Sequence, residues 1–302
     1  MGRAFAVAVP ALVALTVAAC GGSSGSSHSS GKSVDESIAR AADVSAAEPG
    51  YRMTLAMDES LGSSGKLTAT GSGSFSTADR AGTMSLNMTI PGSAAALGTI
   101  AMNVVIKGDT VYTKLPSTLA GLLPGGKAWM VLNLRQLGSA ANLPGLGSLV
   151  KSEGSLSDPG QYLSYLEATS PTGVKDLGTE QVDGVQTTHY RAELDLARLP
   201  DVVPAAERAA TSQLVSALER RAHLSESPID AWIDSSDRVR RIKLDYAMMI
   251  PVKTGAAAQP VSLSLTEDFI SYGPQPIPAA PPADQTMNLS SLLHGLSLLH
   301  GL

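Results

Sequence analysis

The chain contains a single cysteine, Cys20, which stands directly after Val17-Ala18-Ala19. The segment before it begins with the basic residue Arg3 and continues as an apolar run up to residue 19. A short basic start, an apolar stretch and small residues at the end are the parts of a secretory signal peptide. The run is shorter than the roughly 20 residues that span a bilayer as a helix. The pattern therefore predicts a signal peptide at residues 1–19 rather than a permanent membrane helix.

This segment resembles the lipobox of bacterial lipoproteins. The resemblance implies cleavage before Cys20 and transfer of diacylglycerol to its thiol. Two or three acyl chains anchor a protein stably, whereas a single chain binds only marginally. We therefore expect the mature chain to be held by lipidated Cys20 on the extracytoplasmic face of the cell membrane. The alternative is an ordinary secretory peptide followed by a free thiol, which exported proteins usually avoid or pair.

Other residue types that carry chemistry form no catalytic pattern. The sequence has no G-x-S-x-G motif, and of its five histidines only His189 falls within a predicted strand. No spacing of histidines and carboxylates matches a metal site, and no glycine-rich phosphate loop is present. The acidic pairs Asp58-Glu59 and Glu267-Asp268 are interpreted as solvated residues at strand ends. We predict that the protein is not an enzyme and needs neither metal nor cofactor; a hydrolase that uses His189 is the weaker alternative.

The composition limits the partners further. The 22 basic and 27 acidic side chains give a net charge of −5. Because nucleic-acid binding depends on clustered Lys and Arg, nucleic acid is not a predicted partner. With Cys20 acylated, no second thiol remains for a disulfide. Hydrophobic residues make up 43% of the chain but aromatic residues only 4%, so the core is expected to be aliphatic and rich in the ten methionines.

Residues 20–32, which carry the lipidated cysteine, are rich in Gly and Ser and indicate a flexible tether.

Three helices are predicted after this tether. The first is Val34–Ala47, with Ser33 as N-cap and Glu36 in the position of a capping box. Asp158-Pro159 is typical of the start of a second helix. The third is predicted from about residue 204 to residue 222.

Strands are predicted wherever apolar and polar residues alternate with a period of two. Turn signals at residues 107–110 and 182–185 join neighbouring strands closely, which favours an antiparallel meander. We expect about ten strands in one domain of residues 33–273, followed by a proline-rich exit and a leucine-rich tail at 274–302. The predicted strands lie around residues 51–57, 67–76, 84–90, 100–106, 111–113, 129–132, 174–178, 180–182, 185–194, 229–233, 239–249 and 261–272.

One strand pair carries a family resemblance. Residues 178–190 read GTEQVDGVQTTHY, which is similar to the pattern G-x-E-x-V-x-G-x-x-T-x-H-Y of actinobacterial lipoproteins of the LppX/LprG type. The order of lipobox, tether, early helix, Asp158-Pro159 and the Ala-Trp-Ile-Asp strand at 231–234 also agrees. The resemblance implies an α+β, LolA-like fold: a strongly curved antiparallel half-barrel sheet wrapped around about three helices. It also implies an apolar cavity between sheet and helices, which in some members takes acyl chains.

The alternating strands and the second helix supply candidates for the lining of such a cavity. Plain core packing is the competing interpretation for each of them, since protein interiors are normally close-packed. The candidates are Met53, Leu55, Met57, Met84, Leu86, Met88, Met102, Val104, Ile106, Tyr162 and Leu166.

Two functions are thus expected for a membrane-anchored lipoprotein of this kind. The first is binding or transfer of acyl-chain lipids in the cell envelope, which requires an open cavity. The alternative is an envelope sensor or protein-interaction lipoprotein, with a filled core and an exposed apolar patch at residues 138–150 that would bind an envelope protein partner.

Overall fold

A computed structural model of the chain describes residues 33–60, 62, 65–92, 96, 98–120, 124–133, 163, 170, 172–203, 205, 208–222, 226–250 and 259–288. The predictions for Cys20, for the tether, for the patch at 138–150 and for the tail beyond residue 288 lie outside these residues. Most of the helix predicted from Asp158 also lies outside them, and of that helix Leu163 alone is described.

Helix α1, Val34–Ala47, begins where the sequence predicts. The Ser33 hydroxyl accepts a hydrogen bond from the backbone N–H of Glu36 at 3.2 Å, which satisfies one of the free donors of the first turn. One face of the helix carries Ile38, Ala41 and Ala42, all buried. The remaining described helices are α2 Ser117–Ala120, α3 Leu199–Val202 and α4 Arg208–Ala222, with 3₁₀ turns at Pro124–Gly126, Leu196–Arg198 and Ala283–Gln285.

The main element is one curved sheet of twelve strands. Neighbouring strands are antiparallel except for the pair β12 and β6, which is parallel. The spatial order is β12-β6-β5-β4-β3-β2-β1-β11-β10-β9-β8-β7. The strands are β1 Gly50–Ser60, β2 Lys66–Ser76, β3 Ala81–Thr89, β4 Thr99–Lys107, β5 Thr110–Lys114, β6 Trp129–Asn133, β7 Lys175–Val182, β8 Val185–Asp195, β9 Glu226–Asp234, β10 Val239–Ile250, β11 Gln259–Tyr272 and β12 Thr286–Asn288.

The expected fold class, a curved antiparallel sheet with few helices, is confirmed. The strand number is twelve rather than about ten. The additional strand β12 follows the proline-rich segment and pairs with β6. The sheet therefore continues past residue 273, the predicted end of the domain. The approach of β12 is fixed by Lys107, whose ammonium group donates to the carbonyl of Pro278 at 3.1 Å.

The hairpin between β7 and β8 shows how the sequence sets the register. Asp183 and Gly184 both have positive φ, 49° and 78°, as a two-residue primed turn requires. Val182 and Val185 are therefore paired directly, and the pairing continues to Glu180 opposite Thr187. The turn signal at residues 182–185 thus predicts this hairpin correctly.

The two faces of the sheet differ in character. We call inner face the side that carries Tyr51, Met53, Ile242 and Ala231 and that packs against α1. Ile38 and Ala41 of α1 are both 0% exposed and lie in one cluster with residues of β1 and of β8–β11. Leu163 is buried in the same cluster. The opposite side, the outer face, carries mainly charged and hydroxyl side chains.

Candidate functional site

Strand register places the nine predicted lining residues of β1, β3 and β4 on the inner face. Met53 is paired across Gly73 and Met84 with Val104, and residues directly opposite each other in adjacent strands project to the same side. The neighbouring row joins Leu55, Leu86 and Met102 in the same way. The other two predicted residues, Tyr162 and Leu166, lie outside the described part of the chain.

A cavity of about 130 Å³ opens on this face between β1, β2 and β3. Four of the predicted residues line it, and five of them, although on the same face, do not. Its apolar wall is formed by Tyr51, Met53, Leu55, Phe75, Met84 and Ile106. The five outside the lining are Met57, Leu86, Met88, Met102 and Val104, and each of these is half-buried.

Two glycines of β2 explain why the face is not filled here. Gly71 lies between Leu55 and Leu86 in the register, and Gly73 lies between Met53 and Met84. A Cβ atom at Gly73 would stand 2.3 Å from the carbonyl oxygen of Thr83, so no larger residue fits without moving the backbone. A glycine inside a strand commonly marks a bend or a close approach of this kind. The middle of the apolar face therefore lacks two side chains.

Glu267 of β11 also lines the cavity. It lies on the inner face, directly between Leu55 of β1 and Ile242 of β10, and is 8% exposed. Within the described residues, no side chain donates a hydrogen bond to its carboxyl group or pairs with it. Burial away from water raises its pKa to about 7. At neutral pH the protonated, uncharged form is therefore well populated.

The interpretation of Glu267-Asp268 as solvated acids at a strand end is wrong. Both residues lie within β11, and only Asp268 faces outward, where Arg241 binds it through two nitrogens. The alternation Val261, Leu263, Leu265, Glu267, Phe269 is visible in the sequence and places the glutamate on the apolar side. That signal was sufficient to find the residue.

On the outer face, His189 joins two carboxylates. Its Nδ1 lies 2.9 Å from Glu180 Oε1 and its Nε2 lies 2.6 Å from Asp230 Oδ1. The ring stacks on Trp232 with 4.1 Å between centroids, and Trp232 Nε1 donates to the second oxygen of Glu180 at 2.8 Å. The hydrogen bonds from Trp232 and His189 lower the pKa of Glu180.

Arg191 completes this group, since it holds the buried Asp230 through Nε and a terminal nitrogen at 2.7 and 2.9 Å. We call Glu180, His189, Arg191, Asp230 and Trp232 the outer-face network. Three of its members belong to the two sequence segments that carry the family resemblance. Both nitrogens of the imidazole are engaged by carboxylates, so neither is available to take a proton from a hydroxyl nucleophile. In the structure the histidine bridges strands.

The described residues include neither a cluster of metal ligands nor a membrane-spanning helix. Among them, no three His, Cys, Asp or Glu side chains come together in a group that could hold a metal ion. None of the described helices is both long enough and apolar enough to cross a membrane.

Comparison with known proteins gives limited similarity. No family model matches the chain. An uncharacterised 31.2 kDa protein of Streptomyces griseus, encoded in the rplA-rplJ intergenic region, is 27% identical over 191 residues. The match covers 61% of this chain, and it spans little more than half, 55%, of the length of that protein.

Among solved structures, LprF from Mycobacterium bovis is 13% identical, with a TM-score of 0.42 over 81% of this chain and 95% of LprF. The lipoprotein LppX of Mycobacterium tuberculosis is 14% identical, with a TM-score of 0.42 over 82% of this chain and 97% of LppX. LppX belongs to the family that the motif at residues 178–190 resembles.

Proposed function

We propose that this chain is an envelope lipoprotein that binds the acyl chains of lipids on the inner face of its sheet. The observation that supports this is the cavity between β1, β2 and β3, which lies beside a continuous apolar surface on β3 and β4. Acyl chains bound there would be removed from water, which is the main source of favourable free energy for such a ligand.

The size of the cavity indicates how a chain would be held. Its volume of about 130 Å³ is close to that of cavities of about 150 Å³ that accommodate a benzene ring. It therefore takes a short part of an acyl chain. The rest would lie along the half-buried Leu86, Met88 and Met102 on the same face. Methionine suits such a surface because its unbranched side chain adapts to apolar ligands of different shape.

The membrane attachment belongs to the same proposal. Diacylglycerol on Cys20 would hold the chain on the extracytoplasmic side of the membrane. The Gly/Ser-rich residues that follow would allow a reach of roughly 20 Å from the anchor. A binding domain on such a tether could take a lipid from the membrane surface and present it to another envelope component.

The binding proposal is tested by native mass spectrometry of the mature chain, residues 20–302 with Cys20→Ala, purified without detergent. We expect co-purifying acyl lipids, identified after extraction. Met84→Trp fills the cavity and should abolish their retention, whereas Asn87→Trp, an exposed position on the same strand, should not. A ligand-free mass that persists after incubation with phospholipid vesicles would contradict lipid binding and favour the sensor or interaction function.

The anchor is tested separately by metabolic labelling with radioactive palmitate in an actinobacterial host. The full chain should incorporate label and sediment with membranes. Cys20→Ala should remain unlabelled and leave the membrane fraction. Labelling of the alanine variant would contradict attachment at Cys20.

A further inference from the structure

Glu267 breaks the pattern of its own strand. Val261, Leu263, Leu265 and Phe269 occupy the inner-face positions nearest to it in β11, and the residues paired with Glu267 on both sides, Leu55 and Ile242, are aliphatic. An apolar residue at this position would continue the pattern. A residue that breaks the local pattern without forming a compensating contact is expected mainly at a functional site.

Within the described part of the chain, the surroundings of the carboxyl group offer it no charge. The described part of α1 turns Ile38, Ala41 and Ala42 toward the sheet. Among the described residues that line the cavity, Tyr51 is the only other group that titrates, and none is a cation. Burial therefore disfavours the carboxylate and populates the carboxylic acid near neutral pH, and the O–H of that acid is a hydrogen-bond donor.

A donor enclosed by apolar side chains is costly unless an acceptor reaches it. The cavity beside the carboxyl group has room for such an acceptor on a ligand. In an acyl lipid the acceptor next to the hydrocarbon is the carbonyl oxygen of the ester. A hydrocarbon lying against Met53 and Met84 would bring this carbonyl to the level of Glu267.

We propose that Glu267 is the polar recognition group of the cavity and donates a hydrogen bond to the ester carbonyl of a bound acyl lipid. This inference rests on the proposed function, since it assigns the ligand class and its orientation within the same cavity. It predicts selection of acyl esters over hydrocarbons of equal length.

The experiment uses the mature chain with Cys20→Ala and measures displacement of a fluorescent acyl probe without detergent. The competitors are methyl laurate, tridecane and dodecylamine, which have similar chain lengths and carry an ester, no polar group and an amine, respectively. We expect the ester to bind roughly tenfold more tightly than the alkane, the factor that one hydrogen bond contributes. Glu267→Leu should lose this preference, whereas Glu267→Gln should keep it because the amide also donates.

The matched control is Glu59→Gln, the same chemical change on the neighbouring strand at a residue outside the cavity lining. It should leave the preference unchanged. The proposal is overturned if Glu267→Leu retains the ester preference, if folded Glu267→Gln loses it, or if dodecylamine binds best and Glu267→Gln removes that advantage. If neither the probe nor any competitor binds the parent chain, the proposed lipid binding itself fails. Circular dichroism establishes that each variant is folded.

Discussion

The two halves of the sheet use their surfaces differently. In the packed half, β1 and β8–β11, the inner face is covered by α1, and Ala231, Val239 and Ile242 are at most 1% exposed. In the open half, β2–β5, most long apolar side chains of the same face, such as Leu86 and Met88, remain half-buried, while Ile100 is buried. Within the described residues the main cluster takes none of its buried members from β2 to β5, although the partly buried Phe75 and Met84 pack against it.

The outer faces differ as well. The packed half carries the outer-face network and the pair Arg241–Asp268, while the open half carries serines, threonines and asparagines, with a hydrogen bond of 3.0 Å between Ser85 and Asn103. Interactions that hold strands together are therefore concentrated in the packed half. Apolar surface that could receive a ligand is concentrated in the open half. The stabilising contacts and the proposed binding surface are thus separated along one continuous sheet.

The sharpest test of the packed half is Ile242→Ala. Ile242 is 1% exposed and pairs with both Ala231 and Glu267. Removing its side chain leaves a cavity in a region that cannot collapse easily, so we expect a loss of about 3 to 4 kcal/mol in the free energy of unfolding. Urea denaturation measures this. A loss below that of Met88→Ala, described below, would contradict the division into two halves.

Glu267, at the boundary of the two halves, should make stability depend on pH. Its pKa is about 7 in the folded state and near 4.5 when unfolded, so the folded chain binds more protons between these values. The free energy of unfolding should therefore fall as pH rises from about 4.5 through 7, by at most about 3 kcal/mol. Urea denaturation at pH 5 and pH 8.5 measures this fall, and Glu267→Gln should flatten it. An equal fall in Glu267→Gln would assign the pH dependence to other groups.

The outer-face network is tested with His189→Phe, which keeps an aromatic ring against Trp232 and removes both contacts with carboxylates. Asp230 retains Arg191, so we expect a moderate loss of about 2 kcal/mol in stability. Lipid retention, measured by native mass spectrometry, should not change because the network lies on the opposite face from the cavity. A variant that is stable yet loses lipid would give the network a role in binding.

The smallest effect on stability is expected in the open half. Met88→Ala removes a half-buried side chain that faces the ligand surface. We expect a loss of about 1 kcal/mol or less in the free energy of unfolding, together with weaker binding of the acyl probe. A large loss of stability with unchanged binding would show that Met88 serves the core.

Local patterns predicted most of the fold. The cap at Ser33, the Asp183-Gly184 turn and the two-residue alternation of β1, β3 and β4 each depend on neighbours close in sequence, and each appears where the sequence indicates it. The alternation also predicts correctly that the nine strand candidates share one face. The sequence does not show which four of these nine candidates line the cavity. The cavity lies where Gly71 and Gly73 leave space, and their position between β1 and β3 is known only once the three strands are paired.

Contacts between residues far apart in the sequence are not predicted by local patterns. His189 meets Glu180 nine residues away and Asp230 forty-one residues away, so its partners depend on the pairing of three strands. Adjacency to Asp268 suggests that Glu267 is solvated. The two-residue period of the strand instead places Glu267 on the apolar face. Strand β12 is only three residues long, which is too short for an alternation of apolar and polar residues to predict it.

That short strand would have a consequence if the chain is held at a membrane as proposed. Anchored molecules share a thin layer, where copies meet often and uncovered strand edges can join. The chain returns after its proline-rich segment and pairs Thr286–Asn288 with Trp129–Val131 of β6. The strand that this pairing leaves at the edge is three residues long, which is a short template for a neighbour to extend. On the proposed membrane-anchored chain, the returning segment would limit edge-to-edge association at this side of the sheet.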